Sequence, residues 1–226
     1  MKKISIIMLI IVLLLSLTVV ACHPTNVVKS VYATYEVLPD GFDNLDDRIN
    51  STVSSLRRLL LDYGFSKPTV TKGTSDNGNP TIRVSVQESD DVEKVFDLIE
   101  RPASLEFKGE NNKNAKNLMV GREHLEKAYV TKDAQDNYAD GLKFNEKGTE
   151  KFAQLTNDYL NESIYIFIDG ELYTTVIVNS QITDGTAIIT RAGGGYTYVE
   201  AKEFATKLQV GAFGVKLSLY SVLDRE

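Results

Sequence analysis

The first 22 residues constrain this chain more than any other part of its sequence. Two lysines precede a largely apolar stretch that runs from Ile4 to Val20, and the small residue Ala21 and then Cys22 follow it directly. This order is typical of a secretory signal peptide. The last residues have the form of a lipobox, in which a small residue fits the pocket of the signal peptidase and the cysteine thiol takes up a diacylglycerol. The sequence therefore predicts export, with residues 23–226 outside the cytoplasm.

Cys22 is the predicted site of lipid attachment, with residues 1–21 as the cleaved signal peptide and residues 22–30 as a tether. The alternatives are an uncleaved membrane anchor and an ordinary signal peptide with a chance cysteine. Cys22 is the single cysteine of the chain, which favours the lipobox and leaves no thiol for an internal disulfide. No later apolar stretch approaches the ~20 residues of a spanning helix. We therefore expect a lipid-anchored protein on the extracytoplasmic face of the cell membrane.

The ionisable residues argue against several classes of function. The chain has 25 Lys and Arg residues, two of them in the signal peptide, against 31 Asp and Glu residues. This balance argues against binding to nucleic acid phosphates. The two histidines are His23, in the tether, and His124, which the pattern places on a solvated helix. Because the glycines at 193–195 also lack the spacing of a phosphate-binding motif, we predict no catalytic residue, no metal, no cofactor and no enzymatic activity.

The pattern from residue 31 to residue 107 predicts the element order β-α-β-β-α-β. Apolar residues spaced three and four apart between Leu45 and Tyr63 predict an amphipathic helix, which Asn44 can begin and Gly64 can end. A second helix is predicted at residues 92–99. This order is the ferredoxin-like layout. The predicted strands are residues 31–37, 69–71, 82–86 and 103–107.

A second α+β unit follows residues 109–118, which are predicted to be a polar linker. Asp169-Gly170 joins two strands of this unit and is a strong hairpin signal, because glycine accepts a positive φ. Thr197 and Glu200 form a predicted capping box at the start of a helix. The predicted strands of this part are residues 128–130, 142–144, 164–168, 172–178, 186–190 and 216–222.

An ordered series of segments connects this sequence with a known family. The longest is the run from Gly141 to Thr156, GLKFNEKGTEKFAQLT. It resembles the head of the first periplasmic domain of SecD, an accessory subunit of the Sec protein-export channel, and shorter segments resemble the rest of that domain. The similar segments are 141–156, 166–171, 182–189, 200–205 and 208–213, with 56–70, 82–86 and 103–107 upstream.

The resemblance implies an α+β fold with two parts. A ferredoxin-like base subdomain would comprise residues 31–108 and be completed by residues 214–226. An inserted α+β head subdomain would comprise residues 109–213. The family continues into a membrane bundle that is thought to couple ion flow to pulling. Because this sequence ends at Glu226, we expect that it cannot perform that coupling alone.

Two local departures from the family pattern stand out. An Ala-Pro pair of the family corresponds to Thr175-Val176 or Val176-Ile177 in this sequence, in the strand that follows Asp169-Gly170. The last turn of the family is rich in proline, whereas residues 213–216 contain none. Both departures lie in the part of the chain that resembles the head or its junction with the base.

The resemblance also implies a function, that of a binding module that assists Sec-dependent protein export. Its implied partners are the Sec translocon or the SecD and SecF membrane subunits, unfolded exported polypeptides, and the membrane through the lipid anchor. Strands that carry tyrosines can present one face to an extended peptide, and Tyr173 and Tyr196 are the predicted polypeptide contacts. The alternative is an envelope lipoprotein that reuses the head and base fold for another protein–protein interaction.

Overall fold

A computed structural model describes residues 29–38, 43–89, 91–191 and 195–225. The predicted signal peptide, Cys22 and most of the tether lie outside these residues. The described residues form eleven strands, five helices and three antiparallel sheets. Within this part of the chain, no helix is long and apolar enough to cross a membrane.

Four strands and two helices form a unit that we call the base. The helices α1 (Leu45–Tyr63) and α2 (Val92–Glu100) supply the apolar side chains that cover one face of its sheet. Alternate residues of the first strand, from Val31 to Val37, are buried, as expected for a strand with one covered face. With the last strand of the chain as its fourth strand, the base has the element order of the predicted ferredoxin-like fold. In the order in which they pair, the strands are β11 (Lys216–Arg225), β1 (Ser30–Leu38), β3 (Pro80–Gln87) and β2 (Thr69–Thr74).

The remaining strands form two sheets in a unit that we call the head. Its helices are α3 (Gly121–His124), α4 (Glu146–Asp158) and α5 (Tyr198–Gly211). One cluster of buried apolar side chains, which includes Leu142 and Ile164, fills the space between these elements. One sheet pairs β5 (Asn117–Val120), β4 (Leu105–Lys108), β8 (Ser163–Ile168) and β9 (Glu171–Ile177), and the other pairs β10 (Thr186–Ile189), β7 (Tyr138–Phe144) and β6 (Leu125–Lys132), each in that order.

The strand β4 corrects the prediction for residues 103–107, which were expected to be the fourth strand of the base. It pairs with β5 and β8 of the head instead. Phe107 is buried in the head, with its ring centroid 6.1 Å from that of Phe144 and 6.0 Å from that of Phe152. The predicted end of the base at residue 108 is therefore too late, because buried residues change from the base cluster to the head cluster between Ile99 and Ala103. The fourth strand of the base is β11, which pairs with β1.

The ends of the helices show which residues cap them. The side chain of Asn145 accepts a hydrogen bond from the backbone N–H of Gly148 at the start of α4, at 2.8 Å. Thr197 and Glu200 form the predicted reciprocal capping box at the start of α5. Gly64 ends α1 with a φ of 115°, a conformation that glycine adopts readily. Asn44 precedes α1, but its side chain makes no capping hydrogen bond.

Lys108 holds the segment that was predicted to be a polar linker. Its side chain is only 3% exposed, and its Nζ lies 3.1 Å from Glu106 Oε2. The same Nζ donates hydrogen bonds to the carbonyl of Ala115 at 2.9 Å and to Oδ1 of Asn117 at 2.6 Å. A buried lysine needs such partners to offset the loss of its hydration. The segment between β4 and β5 is therefore a loop tied to its own strands.

His124 is buried, whereas the sequence predicted a solvated helix residue. It is 6% exposed, and its Nδ1 lies 2.8 Å from the carbonyl oxygen of Val120. The helix α3 is a single turn, and α4 packs directly over its end. A Cβ atom at Gly148 would lie 2.2 Å from the carbonyl oxygen of His124, so only glycine allows this approach.

The base and the head are joined by several direct contacts. The Nζ of Lys202 on α5 donates to the carbonyl of Tyr63 at 2.9 Å and lies 3.9 Å from the centre of its ring. Lys127 of β6 pairs with Asp62 of α1 at 3.0 Å. Val210, near the end of α5, is buried in the base cluster. These contacts seat α5 against α1.

Candidate functional site

An apolar groove lies between the open edges of the two head sheets. The strand β9 is the last strand of one sheet, and β10 is the last strand of the other. Between them is a cavity of about 280 Å³ that we call the head groove. Its residues include Phe107, Phe152 and Ile164 from the interior and Val176, Ile177 and Ile188 from the two edge strands.

The rim of the head groove exposes large apolar side chains. Ile177 is 64% exposed, Ile188 is 54% exposed and Val176 is 39% exposed. Of the described residues that line the groove, none carries a charge. Burial of one such side chain contributes about 1.5–3 kcal/mol, and contiguous exposed apolar surface is typical of interaction sites. The groove is therefore suited to apolar side chains of a partner.

Sequence reasoning missed Ile177 and Ile188, although the sequence carries a signal for both. Successive side chains of a strand point to opposite faces. Ile177 lies between Val176 and Val178, and Ile188 precedes Ile189. Runs of adjacent apolar residues must therefore place apolar side chains on both faces of β9 and β10, and only one face of each strand contacts the core.

The structure brings the predicted contact residues Tyr173 and Tyr196 together, but away from the head groove. Both side chains are half-buried. Their rings pack against Phe204 of α5, with centroid distances of 5.2 Å for Tyr173 and 6.0 Å for Tyr196. Their role in binding polypeptide stays a prediction, and the more exposed apolar residues of the same part of the head are Ile177 and Ile188.

A buried carboxyl group lies near Tyr173 in the same part of the head. Asp140 of β7 is 0% exposed. Burial raises the pKa of Asp140 from 3.8 to about 7. The nearby backbone of Ala205 lowers the pKa in part, although neither carboxylate oxygen has a hydrogen-bond partner of good geometry among the described residues. Burial, followed by the negative charge of Asp140, raises the pKa of Tyr173 to about 12. The sequence carried a signal for this burial, because Asp140 has the strand parity of the core residues Leu142 and Phe144.

Metal ligation finds little support in the described ranges. Among these residues, no group of three or more His, Cys, Asp or Glu side chains is arranged to hold a metal ion. Asp46 on the first turn of α1 pairs with Lys72 at 2.9 Å. The absence of a metal and of a cofactor stays a prediction.

The comparison that decides the family covers the head and its junctions with the base. Residues 102–215, half of the chain, match the family model described as SecDF, P1 head subdomain. The chain belongs to this family. The residues of the head groove and Asp140, Tyr173 and Tyr196 all lie inside the matched range.

Curated relatives extend the likeness to most of this SecD P1 domain. The protein translocase subunit SecD of Dictyoglomus turgidum is 28% identical over 180 residues, which cover 80% of this chain and 42% of the relative. The protein translocase subunit SecD of Acidaminococcus fermentans is 29% identical over 195 residues, which cover 86% of this chain and 43% of the relative. The chain thus spans about two fifths of the length of these relatives.

Solved structures show the same fold. SecDF in a super-membrane-facing form superposes with a TM-score of 0.64 at 20% identity, over 87% of this chain and 30% of that chain. A second structure, described as a membrane component SecDF that enhances protein export, superposes with a TM-score of 0.60 at 20% identity, over 84% of this chain and 98% of that chain. The mixed α/β architecture with three antiparallel sheets is therefore that of the SecDF P1 domain.

Proposed function

We propose that this SecD P1 domain assists protein export from the extracytoplasmic side by holding translocating polypeptides in the head groove. The observation that carries the proposal is the uncharged apolar groove between two edge strands, with Ile177 and Ile188 exposed on its rim. The proposed partners are unfolded exported polypeptides and the Sec translocon or its SecD and SecF membrane subunits. The proposed role is binding, without a catalytic step.

The chemistry of an emerging polypeptide supports this role. A chain that has just crossed a membrane is extended and exposes apolar side chains. Among the strands that the structure describes, β9 and β10 each have one edge without a partner strand. An extended segment can form main-chain hydrogen bonds there while its side chains enter the groove. Because main-chain bonds and apolar contacts do not depend on one particular sequence, such binding tolerates many substrates.

A lipid anchor at Cys22 would keep the proposed binding module at the membrane surface. The tether from Cys22 to the first strand residue, Ser30, can span at most roughly 30 Å when fully extended. This length keeps the start of the base near the lipid surface. We further propose that the base and the head act as two domains, with the head inserted between α2 and β11.

Site-directed photo-crosslinking tests the proposed function. A photoreactive residue at Ile177 or Ile188 is expected to form adducts with a stalled secretory substrate in cells. The matched control is Leu61 on α1, which is 50% exposed and lies outside the groove, and which is expected to give none. Probes at Tyr173 and Tyr196 test the original prediction in the same experiment. Equal adducts at Leu61 and Ile177, or no adduct at either groove position, would contradict the proposal.

A second candidate function is a different interaction in the cell envelope, and a separate surface favours it. The edge strand β11 exposes Tyr220 by 46%, Val222 by 47% and Leu223 by 56%. This strip belongs to the base and would serve a partner that has no need of the head groove. If deletion of the gene leaves secretion rates unchanged while probes at Tyr220 capture an envelope protein, the second candidate is the better one.

A further inference from the structure

Three polar groups inside the head have no hydrogen-bond partner among the described residues. These are the carboxyl group of Asp140, through both of its oxygens, and the hydroxyls of Tyr173 and Tyr196. Buried polar groups without partners are rare in native proteins, because each one loses its hydration without compensation. Three side chains of this kind in one part of the head require an explanation.

The three groups come from different elements that meet at α5. Asp140 lies on β7 and Tyr173 on β9, and Tyr196 precedes α5. The two tyrosine rings pack against the ring of Phe204. The backbone N–H of Tyr196 donates to the carbonyl of Tyr138, two residues before Asp140, at 3.4 Å. The shared ring contact and this backbone bond place the three side chains in one part of the head, on segments that can move separately.

The surroundings of Asp140 offer no described cation to balance its charge. On β7 it lies opposite Val130 of β6 and Ile189 of β10, both apolar. The titratable group shown to interact with it is Tyr173, whose pKa the charge of Asp140 raises, and Tyr196 packs on the same Phe204 ring as Tyr173. Arg191, after β10, acts on Tyr173, and its guanidinium lies 3.4 Å from Glu200 in an exposed pair. Besides the backbone of Ala205, which lowers the pKa of Asp140 in part, the two tyrosine hydroxyls are the nearby side-chain donors that have no partner of their own within the described part of the chain.

We propose that Asp140, Tyr173 and Tyr196 form a proton-operated latch in the head. Neutral Asp140 is compatible with the packing described above. When Asp140 releases its proton to solvent, the remaining carboxylate draws the hydroxyls of Tyr173 and Tyr196 onto its oxygens, and β9 and the start of α5 shift with them. Because β9 also carries Val176 and Ile177 of the head groove, the same shift changes the width of the groove. The latch itself does not depend on what the groove binds.

Hydrogen exchange of the full chain in detergent tests the latch. Between pH 5 and pH 9, after correction for the intrinsic exchange rate, protection of residues 171–177 and 196–204 is expected to change with a midpoint near neutral pH. Asp140→Asn should abolish this change. The control Asp76→Asn removes one exposed carboxylate from a turn of the base and should leave the change intact. If protection does not vary with pH in the unaltered chain, or varies equally in Asp140→Asn, the latch does not exist.

Two further variants keep the test decisive if Asp140→Asn fails to fold. Tyr173→Phe and Tyr196→Phe each remove one donor and keep the ring that packs on Phe204. Because the donors stabilise the ionised form, removing both should raise the midpoint by about one pH unit, a tenfold change in proton affinity. A midpoint that stays where it was in the double variant would show that the tyrosines do not bind the carboxylate, and would overturn the proposal.

Discussion

At the scale of single residues, Asp140 shows how strongly position controls a carboxyl group. It is fully buried on β7. Asp133, in the turn that precedes β7, is only partly buried and accepts hydrogen bonds from the backbone N–H groups of Gln135 and Asn137 at 2.9 and 3.0 Å. Burial raises the pKa of Asp140, and those hydrogen bonds lower the pKa of Asp133. The pKa values of two aspartates seven residues apart are therefore shifted in opposite directions.

This difference predicts how stability depends on pH. Because the folded pKa of Asp140, about 7, lies above its ordinary value of 3.8, the folded state holds the proton more tightly than the unfolded state. The free energy of unfolding should therefore fall as pH rises from about 4 to about 7, with the full cost present above pH 7. Asp140→Asn should raise the free energy of unfolding at pH 8 by roughly 2–4 kcal/mol and leave it nearly unchanged at pH 4. Denaturant titrations at the two pH values measure this.

Asp133→Asn is the matched control for this prediction. It removes the same charge from the same part of the head, but from a carboxylate that is favoured in the folded state. It should not raise the free energy of unfolding at pH 8. An equal gain in both variants would mean that net charge, and not the burial of Asp140, is the cause.

At the scale of elements, some features of the fold follow from a few neighbouring residues, and others depend on residues that are distant in the sequence. The helix α5 and the hairpin at Asp169-Gly170 follow from short signals, namely a capping box and a glycine with a φ of 79°. The sheet to which β4 belongs does not follow from such signals, because Leu105–Lys108 pairs with a strand about 60 residues later. The burial of Tyr173 likewise depends on Phe204, a residue of another element. Contacts of this kind are set by the packed tertiary structure and are invisible to a local pattern.

The close packing of α4 on α3 gives a prediction at this scale. Alanine favours a helix over glycine by about 1 kcal/mol, so propensity alone predicts that Gly148→Ala stabilises α4. A Cβ atom there would lie 2.2 Å from the carbonyl oxygen of His124, which is backbone and cannot rotate away. The steric cost should exceed the gain in propensity, and we expect a net loss of about 2 kcal/mol in the free energy of unfolding.

Thermal unfolding of Gly148→Ala and of Lys147→Ala separates these effects. Lys147 is the neighbouring residue of α4, and its exposed ion pair with Glu123 at 3.3 Å should contribute at most about 0.5 kcal/mol. A clear fall in melting temperature is therefore expected for Gly148→Ala alone. If Gly148→Ala melts at or above the temperature of the unaltered chain, the contact between α3 and α4 is looser than described.

At the scale of the whole molecule, the chain leaves the base after α2 and returns to it at Gly214. Two arginines meet at this point of return. Arg48 of α1 donates through Nε to the carbonyl of Gly214 at 2.8 Å, and Arg122 of α3 donates to the same oxygen at 3.3 Å. One arginine belongs to the base and the other to the head. The strand that completes the base sheet therefore begins at a junction that both units hold.

This connectivity predicts that the base depends on the last strand of the chain. Truncation after Gly214 removes Val215, which is buried, and Leu217 and Leu219, which pack against the base cluster. It also leaves β1 as an open edge. Hydrogen exchange should show loss of protection throughout residues 30–100. Residues 105–108 should keep their protection, because β4 is paired on both sides within the head.

Truncation after Leu223 is the control for this prediction, since it keeps the pairs of β11 with β1 from Leu38 to Tyr32. It should leave protection of the base unchanged. Two outcomes would count against the proposed insertion of the head. Intact protection of residues 30–100 without β11 would mean that the base sheet is stable as three strands. Joint loss of protection in residues 30–100 and 105–108 would mean that base and head unfold as one unit. The contacts between α5 and α1 would then couple the two units more strongly than their separate hydrophobic clusters suggest.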